Sequence, residues 1–182
     1  MLDLGGATYE AACRMARAPR IQTPTLIRHV TSRGNGRMRI FLDDADYRQF
    51  VYVLGDVVEE FAIRCWNYCL MPNHYHATLQ PTLPNLSAAI RRLNSVYAQW
   101  WNTRHGLVGH VFQGRFKDQI VDEDAYMLTL SRYVAMNPVR AGLATSPEDW
   151  PWGSRHSFPP LRRCGCSAKA PMRSCKRGSP AL

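Results

Sequence analysis

The sequence predicts an α+β domain of ferredoxin-like, split βαβ topology: a four-stranded antiparallel sheet with two helices on one face, followed by an additional C-terminal helix. Three observations carry this. Long segments with apolar residues spaced three and four apart alternate with short segments of period two. Gly, Pro and Asn punctuate the boundaries. The order is strand, helix, strand, strand, helix, strand, helix.

The first strand signal is "LIRHVTSRG", Leu26 to Gly34, apolar at alternate positions until Gly stops it. In "DDADYRQFVYVLGDVVEEFA" the residues Tyr47, Phe50, Val51, Leu54, Val57, Val58 and Phe61 form one helical stripe, and aspartates sit at the start, where the helix dipole favours them. "IRCWNYCLMP" and "HYHATLQ" read as a hairpin turning at Pro72 and Asn73. After "PTLPN" a second helix is expected from about Leu86 to Arg104, with Leu86, Ile90, Leu93, Tyr97 and Trp100 on its stripe and Asn85 or Ser87 as cap. Trp100 and Trp101 are adjacent, so only one of them can face the core. "GHVFQGRFKDQIV" reads as a Gly-interrupted loop feeding a fourth strand near Phe116 to Val121. The final helix, "DEDAYMLTLSRYVAMN", is expected to stop at Pro138. The domain therefore covers residues 25–154, between an irregular segment 1–24 and a basic tail 155–182 whose composition predicts disorder.

Composition excludes several classes. A chain of 182 residues with 46% hydrophobic and 20% charged residues can bury one core, and no apolar run approaches the ~20 residues of a membrane span. "MLDLGGATYEAACRMARAPR" has no continuous apolar stretch of the signal-peptide kind, so a cytoplasmic protein without membrane association is expected. The formal charge of +9 is concentrated in the tail: residues 1–154 hold 16 basic and 14 acidic residues, a net of only +2. Such a tail attracts nucleic acid without sequence preference. Of six cysteines, Cys65 and Cys69 read as small core residues, and the Cys164 and Cys166 pair lacks a second pair to complete a zinc site.

The chemistry is concentrated in "LMPNHYHATLQP", residues 70–81. Strand alternation projects His74, His76, Thr78 and Gln80 from one face and Tyr75, Ala77 and Leu79 from the other. The apolar trio belongs under the helices, which leaves both imidazoles on the open face. Two histidines in that position chelate one ion or simply meet solvent; spacing alone does not separate the two. The final helix offers what would complete a site. Tyr133 and Asn137 are one turn apart, beside the packing stripe of Met127, Leu130 and Val134. An amide oxygen at Asn137 suits a hard cation, Mg2+ or Mn2+, and Tyr133 is a candidate nucleophile. Arg33, Arg115, Lys117 and Arg140 are candidate phosphate-holding cations. Gly34 and Gly36 read as a turn and not as a nucleotide-binding fingerprint, so no nucleotide cofactor is expected.

"HVTSRGNGRMRIFLDDADY", "CLMPNHYHATL", "HVFQGRFK" and "RYVAMNPVRAGL", in this order, resemble the single-tyrosine HUH transposases, in particular the REP-associated branch, from about Arg20 to Trp152. The resemblance implies a DNA nicking and joining enzyme acting on hairpin-containing single-stranded DNA. It implies His74, His76 and Asn137 as metal ligands and Tyr133 as the residue that forms a 5′-phosphotyrosine. In that family the tyrosine serves its own subunit or a partner's, so monomer and homodimer both stay open. The basic, cysteine-containing tail departs from the family pattern. Two competing expectations are a non-catalytic hairpin-binding module, which in RRM style would need aromatics where this face has histidines, and a zinc-stabilised domain using Cys69, His74 and His76.

Overall fold

The protein is described here by a computed structural model that covers residues 23–121 and 124–154, with side chains of the last helix from residue 127 onward. The elements are β1 (Ile27–Arg33), α1 (Asp44–Glu60), β2 (Ile63–Met71), β3 (His74–Pro81), α2 (Leu86–His105), β4 (Lys117–Val121) and α3 (Asp124–Arg140), with short 3-10 turns at Asn35–Arg37 and Pro147–Asp149. Most of the segment 1–24, all of the tail 155–182, and Cys13, Cys164, Cys166 and Cys175 lie outside the described residues.

Local chemistry fixes the two long helices. Asp43 caps α1, its carboxylate accepting from the amides of Ala45 at 2.9 Å and Asp46 at 3.2 Å, a contribution of about 1 kcal/mol for such caps. Asp46 is fully buried and accepts from Leu42 N at 2.7 Å. His105 Nε2 lies 3.0 Å from its carboxylate, and Arg104 ion-pairs with both Asp43 and Asp46. The start of α1 is thereby tied to the end of α2. Asn85 is the α2 cap residue, but its amide donates to Phe61 O at 2.8 Å and so closes the end of α1 instead.

All four strands are antiparallel, in the order β2-β3-β1-β4. On one face Val30, Tyr75, Ala77 and Leu79 pack under α1 and α2 against Phe50, Leu54, Val57, Leu93 and Tyr97, all nearly inaccessible. Burying each large apolar side chain contributes about 1.5–3 kcal/mol. The inward tryptophan is Trp101, 2% exposed, and not Trp100, which is half-buried. Trp101 continues the Tyr97 row at a spacing of four, and Trp100 packs its ring on the Tyr97 ring, 6.0 Å between centroids.

The opposite face is not open. Helix α3 lies across it, with Leu130 and Val134 packed on Cys69, Met71 and Val121, and Asn67 Nδ2 of β2 donates to Ser131 Oγ at 2.9 Å. The expectation of solvent-facing imidazoles is corrected: His76 is 7% exposed and Thr78 fully buried. Nor does α3 end before Pro138, which sits inside its last turn. A proline there deprives the Val134 carbonyl of its usual amide donor. Asn137 Nδ2 donates to that carbonyl at 3.3 Å and replaces the missing bond. Downstream, Trp152 O accepts from Leu70 N at 2.9 Å, Ser154 bonds the backbone of Tyr68, and the Trp152 ring stacks on Tyr47. This segment covers the outer edge of β2, the kind of exposed strand edge that otherwise invites pairing with other chains. No described helix is long and apolar enough to cross a membrane.

Candidate active site

Register decides which side chains share the face under α3. Across the sheet, Cys69 pairs with His76 and His76 with Thr31; Met71 pairs with His74 and His74 with Arg33. His29 lies between Thr78 on β3 and Gln119 on β4, and Lys117 faces Thr31. His74 and His76 share one surface, as expected, and the register adds Arg33 and Lys117 to it. Cys69 shares that surface too, opposite His76, so strand alternation does not exclude it from the histidine face. Its thiol is held protonated instead: burial pushes it up to about 12, and it packs on Met71 Sδ at 4.0 Å.

Gly34 sets the end of this surface. A Cβ there would lie 2.2 Å from Met38 O and 2.9 Å from Ile40 Cγ2. The close approach lets Gly34 N donate to Asn73 O at 2.8 Å and Gln113 N to Arg33 O at 2.8 Å. The hairpin turn, β1 and the loop before β4 therefore meet beside His74.

The imidazoles are oriented by their neighbours. His74 Nδ1–H donates to Asn73 Oδ1 at 2.6 Å. His76 Nδ1 shares a hydrogen bond of 3.0 Å with His29 Nε2, the two rings nearly parallel. Both rings use Nδ1 within the protein, and their centroids are 5.0 Å apart. Burial and the nearby Arg33 charge bring His74 down to about 4. Burial, then the neighbouring His74, His29 and Arg33, brings His76 down to about 3. At neutral pH both rings are uncharged, the form that binds a metal.

Tyr133 stands at the rim, 42% exposed, with its ring edge-on to His29 at 6.4 Å and His76 at 6.1 Å. The Arg140 guanidinium lies 5.1 Å from the Tyr133 ring centroid, a cation–π contact. These two residues, with Thr129, Arg132 and Met136, line a concavity of about 380 Å3 along α3. Asn137 follows Tyr133 by one turn; with Nδ2 bound to Val134 O, its Oδ1 remains as an acceptor. Arg115 is exposed in the loop ahead of β4. Among the described residues there is no group of three or more His, Cys, Asp or Glu able to hold a metal. His74 and His76 offer two neutral imidazoles, and the amide oxygen of Asn137 is of a donor type that could complete a set for a divalent cation. Sequence reasoning missed His29. Its signal was present, an imidazole two positions before Thr31 on the same strand face, but only the β1–β3 register connects it to His76.

The chain matches the family model described as "Transposase IS200 like" over residues 22–137. A solved REP-associated tyrosine transposase bound to a REP hairpin is similar at 18% identity, covering 76% of this chain and 82% of that one with a TM-score of 0.63. A second solved structure, a proposed transposase from Deinococcus radiodurans r1, is 13% identical and covers 65% of this chain and 95% of that one, with a TM-score of 0.47. No curated protein matches. At 18% identity the REP-associated structure speaks to the fold alone, which is the α+β sheet-and-helix arrangement described above. The family model spans more than half of the chain, from ahead of β1 to the turn of α3 that carries Tyr133 and Asn137, and the chain belongs to the IS200-like transposase family.

Proposed function

We propose that this transposase cleaves and rejoins single-stranded DNA next to hairpins through a covalent 5′-phosphotyrosine at Tyr133, with residues 25–154 as the working unit. The observation that carries the reading is the pair of neutral imidazoles, His74 and His76, with the exposed Tyr133 ring edge-on to His76. His74, His76 and Asn137 would hold Mg2+ or Mn2+. When bound, such an ion supplies Lewis-acid stabilisation of the charge developing on the non-bridging phosphate oxygens.

Tyr133 Oη gives up its proton and bonds to phosphorus as the bond to the 3′ oxygen breaks; that oxygen takes up a proton and leaves as a 3′-hydroxyl. The phosphodiester energy is retained in the tyrosyl bond, so rejoining needs no nucleotide cofactor. Arg140 fixes the tyrosine ring from outside, and Arg140 and Arg132 offer charge to the strand along α3. Arg33 and Lys117 offer charge on the sheet side, with Arg115 ahead of β4. Because side chains held on a packed helix and sheet are pre-positioned, little reorganisation is required at the moment of attack.

The test is incubation of labelled hairpin-containing single-stranded DNA with the protein and Mn2+ or Mg2+, followed by denaturing electrophoresis. A metal-dependent covalent adduct, lost in Tyr133→Phe and in His76→Ala, is expected. Binding without any adduct across a broad hairpin library would overturn the enzymatic reading in favour of a hairpin-binding protein. The same gel filtered by size before denaturation distinguishes a monomer from a homodimer.

A further inference from the structure

The His29–His76 contact says more than that two rings touch. A hydrogen bond between two ring nitrogens needs one N–H and one lone pair, so one proton lies between His29 Nε2 and His76 Nδ1, and its position decides what His76 presents to the site. If His29 Nε2 carries the proton, His76 must carry its own on Nε2, and that nitrogen is blocked to a cation. If His76 Nδ1 carries it, Nε2 is a free lone pair. The second arrangement requires His29 to hold its own proton on Nδ1, and the Gln119 side chain, paired with His29 across β1 and β4, is hydrogen-bonded to the His29 ring and can accept from that N–H through its amide oxygen. Burial of His29, 8% exposed between β3 and β4, leaves it little freedom to reverse.

We infer that His29, oriented by Gln119, is a positioning residue that fixes the Nδ1–H tautomer of His76 and so aims its Nε2 lone pair into the site. The inference rests on the metal-site reading for its purpose, but not for its geometry. Partners of this kind typically change metal affinity about 10–100-fold when removed. A leucine at position 29 removes the acceptor, while a glutamine can place an amide oxygen near the position of the lost Nε2.

Long-range 1H–15N correlation spectra of the 15N-labelled, metal-free protein report the protonated nitrogen of each imidazole. The wild type is expected to show His76 protonated at Nδ1. His29→Leu should move that proton to Nε2 and weaken Mn2+ binding, followed by calorimetry, by about 10–100-fold; His29→Gln should restore both. A wild-type His76 protonated at Nε2 overturns the inference, and this measurement needs no variant to fold. So does a folded His29→Leu protein with unchanged tautomer and unchanged Mn2+ affinity. If the wild type shows the Nδ1–H tautomer yet binds no Mn2+, the orientation stands and the metal-site reading fails.

Discussion

The two faces of the sheet are made from the same strands and do different work. On the face under α1 and α2, Val30, Tyr75, Ala77 and Leu79 join a large, continuous core, and the polar tips of Tyr75 and Tyr97 are bonded to Asn94 Oδ1 and Ile40 O. On the face under α3 the neighbouring residues His29, His76 and Thr78 are also buried, yet the apolar support is a small cluster around Leu130 and Val134. Alternation thus separates the residues that hold the fold from the residues proposed to carry chemistry, at one-residue intervals along a single strand. The comparison teaches how neutral imidazoles are obtained: by covering the face, at a cost in stability whenever those rings must charge.

The strongest way to break the contrast is to substitute one residue on each face. Phe50→Ala, in the centre of the first face, should cost about 3–5 kcal/mol in urea unfolding, whereas Tyr133→Phe should shift stability by less than about 0.5 kcal/mol while abolishing the covalent adduct. Equal losses of stability would show that the faces are not separate. Gly34→Ala acts on both at once, because its Cβ would strike Met38 O where β1, the hairpin turn and the site meet; a loss of about 1–3 kcal/mol together with weaker Mn2+ binding is expected, and a neutral outcome would mean the turn yields easily.

Acid sharpens the contrast further. The folded values of His74 and His76 lie below the ordinary 6.5, so the unfolded chain takes up protons first. The metal-free protein should therefore lose stability as pH falls from about 6.5 towards 4, measured as a falling urea midpoint. His76→Asn should flatten that part of the curve. Asp43, held near 2 chiefly by its bond to Arg104, adds its loss only at lower pH, below the usual carboxylate range. A modest effect belongs to Ser131→Ala, which leaves Asn67 Nδ2 without its partner on α3; about 0.5–1.5 kcal/mol is expected, with cleavage reduced more than binding because the helix that carries Tyr133 is less firmly seated.

Much of this arrangement was legible in residue order. The strand, hairpin and long-helix boundaries came out within a residue or two because their periodicities are local and strong. The His74 and His76 face followed from alternation, and Tyr133 and Asn137 followed from a spacing of four. What stayed hidden was long-range. The stripe of Met127, Leu130 and Val134 identified a buried face of α3 without naming the surface it would meet, so the covering of the histidines was missed. Trp100 and Trp101 were equally apolar, and only the packing around Tyr97 decided between them. His29 needed the register that pairs Thr31 with His76. Pro138 read as a stop because the rule considers only the backbone, and here a side chain one residue earlier repairs the ladder.

That repair bears on why an amide, and not a carboxylate, stands at position 137. A carboxylate would be the stronger partner for a hard cation, but it has no proton to donate and would set negative charge against the orphaned carbonyl of Val134. Asparagine can divide its two ends, nitrogen for the helix and, in the proposed function, oxygen for the cation. The proline that removes a backbone donor would thereby bear on the chemistry of its neighbour, a trade between the architecture of a helix turn and the affinity of a cation.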